Sequence, residues 1–201
     1  MFDRTYMITN SKPTSMFRHI IDEDAYLAHI RPCDAVELNA LIISSFDHIR
    51  EWSRWLTDKN RPLENTEEWI RKNQLQYGSG NGYEMGIWYK GAMAGQIGYN
   101  HFDRENRITE IGFWLGETFQ RKGLITRSCT ALIENAFTRL NINRIEMRCC
   151  TANLKSRKIP EKLGFKLEGI VRQAEWLHDH FEDHAVYAML ADEWPARSSC
   201  T

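Results

Sequence analysis

Between Tyr83 and Gly116 the chain takes up a period of two over three consecutive segments, 83–89, 93–102 and 107–116. Only the Lys90-Gly91 pair and the polar run Asp103-Arg104-Glu105-Asn106 separate them, and connections this short join antiparallel neighbours. Directly afterwards Ile125, Cys129, Leu132, Ile133, Ala136, Phe137 and Leu140 recur at the spacing of one face of a long amphipathic helix. A three-strand meander that hands over to such a helix must bury that face on a sheet, which predicts an α/β (α+β) architecture.

The flanking pattern agrees. Residues 26–31 predict a first strand ending at Pro32, and Asp34 is placed to cap a helix to about Ser45 with Val36, Leu38, Leu41 and Ile42 inside. Trp52 and Trp55, near Ile49 and Leu56, are expected in the core, although Trp at a helix end also lines clefts. Asn65-Thr66-Glu67-Glu68 predicts the start of a helix that runs to about Tyr77 and is stopped by the glycines of 78–82. Beyond the long helix, 144–150 is a short strand, 154–163 a short helix ended by Gly164, and 165–176 and 181–190 are two last strands around a charged turn. At 201 residues the chain fits one domain, placed at 23–194, with an N-terminal extension at 1–22 and a tail at 195–201.

Composition excludes several classes. Hydrophobic residues make up 42% and charged residues 26%, an ordinary folding composition. Lys+Arg 26 against Asp+Glu 27 gives a net charge of -1, so no bulk field holds nucleic acid or an anionic membrane, and neither is expected as a partner. No apolar run approaches a membrane span and no signal-peptide core is visible. The five cysteines, at 33, 129, 149, 150 and 200, form no C-x-x-C pair, which points to a reduced, cytoplasmic protein. Cys149 and Cys150 are expected as buried small hydrophobes, with no His partner placed by the sequence. His178, His180 and His184, with Asp179, Glu182 and Asp183, fall at the expected hairpin tip; their spacing matches no metal signature, so a solvated turn is expected and no metal.

Any anion must therefore be bound locally. Between the third meander strand and the long helix lies Gly116-Glu117-Thr118-Phe119-Gln120-Arg121-Lys122-Gly123-Leu124-Ile125. A helix N-terminus offers unpaired N–H groups and a partial positive charge, Gly123 allows close backbone approach, and Arg121 and Lys122 add cations. That combination suits a pyrophosphate, while a solvated first turn with incidental basic residues would read the same.

In order along the chain, a strand, Gln120-x-x-Gly123, a long helix, a strand, Asn153, a short helix and Leu163-Gly164-Phe165 resemble the GNAT superfamily of N-acetyltransferases over about residues 23–194. The sixth position of the turn motif, usually Gly or Ala, is Ile125 here. Glu110-Ile111-Gly112-Phe113-Trp114-Leu115, Gln120 to Ile125 and Arg172-Gln173-Ala174-Glu175-Trp176-Leu177 resemble its RimJ/RimL branch, the ribosomal-protein N-terminal serine/alanine acetyltransferases, where Ile at that position is familiar. The resemblance implies a GNAT fold: a mixed, mostly antiparallel central sheet of about seven strands, splayed in the middle between 109–116 and 144–150, with helices on both faces. It implies acetyl-CoA as co-substrate, with pyrophosphate on the N–H groups of Gln120, Arg121, Lys122, Gly123, Leu124 and Ile125. Pantetheine then lies beside Phe113, Trp114 and Leu115, with Asn153 either bonding it or capping the short helix. It leaves a homodimer open.

Acetyl transfer needs a neutral amine, a stabilised thioester oxygen and a proton for the leaving thiolate. An α-amine, with a pKa of about 7.7–8.0 against about 10.4 for Lys, is easier to deprotonate by about 3.4 kcal/mol. Glu175, matching the catalytic Glu of the branch, is the expected base, its alternative being a strand residue facing solvent or paired with Arg172. Ser156, matching the Ser of the branch, is the expected acid, since the Tyr position one turn on is Pro160; its alternative is an ordinary helix-start residue. The expected activity is acetyl transfer to the α-amine of a protein N-terminus by direct attack in a ternary complex. The rivals are a small-amine acceptor, such as a polyamine or aminoglycoside, and a non-catalytic CoA-binding module.

Overall fold

The computed structural model describes residues 18–195. Eight strands form one sheet: β1 (Arg18–Ile20), β2 (Ala25–His29), β3 (Tyr83–Tyr89), β4 (Ala92–Asp103), β5 (Ile108–Leu115), β6 (Arg144–Cys150), β7 (Lys166–Leu177) and β8 (His180–Leu190). Their order is β1-β2-β3-β4-β5-β6-β8-β7, and every pairing is antiparallel except β5 with β6. The eighth strand, beyond the seven or so expected, is β1, which lies within the stretch set apart as an extension; residues 1–17 and the tail from 196 fall outside the described residues.

The short turns form as the pattern predicts. Lys90 and Gly91 both have positive φ, 51° and 80°, matching the right-handed twist of the strands they join. Asp103 accepts from the Asn106 N–H at 2.9 Å to close the next turn.

Period-two alternation sends adjacent side chains to opposite faces, and each face has its own helical layer. On one, Leu27, Ile87, Ala94 and Ile97 pack with Ile125, Cys129, Leu132, Ile133 and Ala136 of α4 (Leu124–Thr138). On the other, Ala28, Trp88 and Met93 meet α1 (Ala35–Ser44), α2 (Phe46–Arg50) and α3 (Leu63–Ser79) through Leu38, Ile42, Phe46, Ile49 and Ile70. A fifth helix, α5 (Leu154–Leu163), ends at Gly164 with φ +83°. Tyr99, fully buried, donates its hydroxyl to the Leu132 carbonyl at 2.7 Å and so ties β4 to α4.

Three local expectations fail. Val36 is 68% exposed rather than inside, because α1 turns Leu38, Leu41 and Ile42 inward and leaves Val36 off that face. Asp34 occupies the cap position of α1, yet its carboxylate turns back to accept from the Arg31 N–H at 2.9 Å and to pair with the Arg31 guanidinium at 3.1 Å. Helix α3 begins at Leu63 after Pro62, not at Asn65-Thr66, because proline's fixed φ already suits a helix start. Thr66 is instead buried inside the helix, where its hydroxyl accepts from Asn39 Nδ2 at 3.0 Å and links α3 to α1.

Candidate active site

β5 and β6, the one parallel pair, are in register only at Ile108–Arg144, Thr109–Ile145 and Glu110–Glu146. β5 stays paired with β4 as far as Leu115, so beyond Glu110 its other edge has no strand beside it. The splay implied by the resemblance is thus present. Arg148 stands where pairing ends, 3.4 Å from Glu110 and 2.9 Å from Glu146.

Chain leaving the C-terminal ends of both strands collects at the open end of the splay, the side on which ligands bind in parallel α/β arrangements. After β5, Gly116 and the short 3-10 turn Glu117–Phe119 lead to Gln120, whose amide donates to the His48 ring. Arg121 and Gly123 both have positive φ, 62° and 71°. A Cβ at Gly123 would meet nothing within 4 Å, no side chain caps α4, and Arg127 donates to the Lys122 carbonyl at 3.1 Å. Among the described residues no side chain caps the first N–H groups of α4, which follow the exposed Arg121 and Lys122. Leu124 and Ile125 are buried in the core, so a large sixth residue leaves this surface clear. After β6, Asn153 Oδ1 accepts from the Ser156 N–H at 3.0 Å and caps α5, with the Ser156 side chain half-buried.

Beside the splay lies a cavity of about 500 Å³. Phe113, Trp114 and Glu175 line it, whereas Leu115, the 120–125 turn, Asn153 and Ser156 do not. Trp52 and Trp55, expected in the core with a cleft lining as the alternative, are cavity walls; Trp55 is 44% exposed and tilts against Trp114 at 6.4 Å between centroids. The cause is that α2 stops at Arg50 and the chain turns outward, carrying both indoles past the core.

Glu175 reaches the cavity through a bulge. The β7–β8 register shifts between Val171 and Glu175, where Gln173 has φ 50° and donates its N–H to Asp183 Oδ1 at 2.7 Å. Its carboxylate, on a side chain 20% exposed, lies 3.3 Å from Arg54 Nε and 3.2 Å from His184 Nε2, with Arg54 rather than Arg172 as its cation. His178 and His180 do belong to the exposed tip, where His178 bonds the Arg50 carbonyl at 2.8 Å and Asp179 and Glu182 hold the His180 imidazolium above its ordinary pKa. His184 does not: β8 has already begun at His180, and four residues in it is folded inward, 3.5 Å from Cys150 Sγ. Cys150 thus has a His partner after all, while burial pushes its thiol up to about 11 and keeps it protonated at neutral pH.

Three cavity-lining groups, Arg54, Gln96 and Glu84, escaped the sequence reading, as did the inward placement of His184 behind Glu175. Arg54 and His184 lie far from Glu175 in sequence or on another strand, with nothing local to connect them. Gln96, 3% exposed, accepts from Trp114 Nε1 at 2.6 Å, which leaves its buried Nε2 without a partner among the described residues. Glu84 also lines the cavity, and burial pushes its carboxyl from an ordinary 4.5 up to about 7. A charged residue in the alternating β3 pattern was the available signal for Glu84.

Residues 26–166 match the family model described as Acetyltransferase (GNAT) domain. The chain is 33% identical over 179 residues to a putative ribosomal N-acetyltransferase, YdaF, of Bacillus subtilis, covering 89% of this chain and 98% of that protein. It is 30% identical over 129 residues to the ribosomal-protein-serine acetyltransferase of Escherichia coli, covering 64% and 72%. Among solved structures, RimL, a ribosomal L7/L12 alpha-N-protein acetyltransferase in complex with coenzyme A, superposes with a TM-score of 0.82 at 25% identity, over 88% of this chain and 99% of that one.

Proposed function

We propose, from the premise that this chain belongs to the GNAT acetyltransferase family and is an N-acetyltransferase using acetyl-CoA, that its acceptor is the α-amine of a protein N-terminus of the Ser/Ala type, with a ribosomal protein as the natural source. The observation that carries the acceptor class is the charge arrangement of the cavity. Of its three carboxylates, Glu110 is paired with Arg148 and Glu175 with Arg54, which leaves Glu84 without a paired cation among the described residues. One uncompensated carboxyl suits an acceptor with one amine, whereas a polyamine calls for several.

Acetyl-CoA would be held by the N–H groups of 120–125 on its pyrophosphate and by the free edge of β5 at Phe113, Trp114 and Leu115 along its pantetheine, with Asn153 close by. Glu175 takes a proton from the acceptor amine, directly or through water, as the amine attacks the thioester carbon. The C–S bond breaks, and the Ser156 hydroxyl gives its proton to the departing thiolate and regains one from solvent. Unpaired N–H groups on β5 supply donors for the thioester oxygen.

A homodimer is part of the same reading. β7 is an edge strand, with Leu167, Ile170 and Val171 each about half exposed, and a second copy is the occupant that fits such a row. No described helix is long and apolar enough to cross a membrane, and Cys129, Cys149 and Cys150 are free, in keeping with a cytoplasmic setting.

The test is release of free thiol from acetyl-CoA with peptides bearing free Ser or Ala N-termini, Nα-blocked Lys peptides, spermidine and an aminoglycoside. Preference for the free-terminus peptides supports the reading. Turnover of the small amines alone moves the acceptor to small molecules.

A further inference from the structure

The three strands at the far end of the sheet bring one thiol, one imidazole and one carboxylate together. Cys150 comes from β6, His184 from β8 directly opposite it, and Glu175 from β7 beyond the bulge. Each presents one ligand atom, and the three atoms lie within 4.8 Å of one another. His184 Nε2 is 3.5 Å from Cys150 Sγ and 3.2 Å from Glu175 Oε2.

Zinc bonds of about 2.3 Å to sulfur and about 2.0–2.2 Å to nitrogen and oxygen, at a tetrahedral angle, put S and N about 3.6 Å apart and N and O about 3.4 Å apart. Two of the three edges of a zinc coordination face are therefore already set to within a few tenths of an ångström. The donor types, a thiolate, an imidazole and a carboxylate, are those a borderline-soft ion takes. We propose that Cys150, His184 and Glu175 form a binding site for one zinc ion, completed by a water, and that occupancy withdraws the Glu175 carboxylate from the cavity.

The local charge favours a cation. Glu182 and Glu175 both bear on Cys150, and the cation paired with Glu175, Arg54, contacts the other carboxylate oxygen from a 71% exposed side chain that is free to swing away. Zinc displaces the Cys150 proton to solvent as the Zn–S bond forms, so affinity rises with pH. The binding half stands on geometry alone. The inhibitory half rests on the proposed role of Glu175 as base, and the two halves separate experimentally.

Full-length protein stripped with a chelator is titrated with Co²⁺ as a spectroscopic probe. The expected result is one equivalent bound, with a thiolate-to-cobalt charge-transfer band and tetrahedral d–d bands that Zn²⁺ erases. Cys150→Ser and His184→Gln lose the charge-transfer band or its tetrahedral d–d companions, while Cys149→Ser and Cys33→Ser keep both. A wild-type titration without the thiolate band, or a band that persists in Cys150→Ser, overturns the site. In parallel, one equivalent of Zn²⁺ is expected to lower thiol release at least tenfold, reversibly with chelator, and to leave Cys150→Ser much less affected. Tight cobalt binding with unchanged turnover overturns the inhibitory half together with the assignment of Glu175 as base. A protein that gives the cobalt spectrum but no turnover on any acceptor, metal-free, retains the site and loses the acceptor reading instead.

Discussion

Trp114 Nε1 donates to Gln96 Oε1 at 2.6 Å across the β4–β5 pair, and because an indole can only donate, the contact fixes the oxygen as the bonded end of the buried amide. The pair therefore ties β4 to β5 along one wall of the cavity. A double-mutant cycle on Gln96→Leu and Trp114→Phe, followed by denaturant midpoints, is expected to give a coupling energy of about 0.5–3 kcal/mol. Simple additivity would mean that the bond contributes nothing to the wall.

Glu175→Gln keeps the shape of the side chain and removes its basicity. The expected loss in kcat at neutral pH is about 10²–10⁴-fold, with acetyl-CoA affinity nearly unchanged, since the residue stands beside the acceptor cavity and away from the α4 turn. Equal losses in turnover and in acetyl-CoA binding, measured by calorimetry, would make it a structural residue.

Gly123→Val tests the anion cradle. The site has φ +71°, so a β-branched residue is strained by about 1–2 kcal/mol, but a Cβ there meets nothing within 4 Å among the described residues. The fold should persist while acetyl-CoA affinity falls at least tenfold. Affinity like that of the unaltered protein would remove the cradle assignment.

Glu84 links stability to pH. Burial raises its folded carboxyl from 4.5 to about 7, so between those values the folded state binds more protons than the unfolded one. Its contribution is thus favourable at low pH and is lost as pH rises through about 7. Glu84→Gln should flatten that decline in urea midpoints measured from pH 4.5 to 8, and should raise the KM for a peptide acceptor without a matching change for acetyl-CoA.

Ser156→Ala removes a hydroxyl but leaves the α5 cap intact, because the cap uses the Ser156 N–H and not its side chain. Thermal stability should stay within about 0.5 kcal/mol of the unaltered protein, as for other changes that touch no buried contact. Turnover should fall, most strongly where thiolate departure limits the rate; an unchanged kcat would send the proton to another donor.

Local pattern was enough to place the meander, the α4 face and the Gln120–Gly123 turn, because each depends on groups a few residues apart: the alternation of 83–116, the 3.6-residue spacing from Ile125, and the left-handed freedom of Gly123. Capping signals were less reliable, since Asp34 and Thr66 spend their side chains on partners that the chain alone does not rank, an ion pair with Arg31 and a bond from Asn39. The site was half legible. Glu175 stood out by motif, but its environment was decided by a β7 bulge, by three strands brought side by side, which put His184 and Cys150 beside one carboxylate, and by the chain after α2, which brings Arg54. Which face a strand residue presents follows from its neighbours two positions away; what it meets there depends on sheet order and on a parallel pair that separates after three residues, and only the packed tertiary structure determines those.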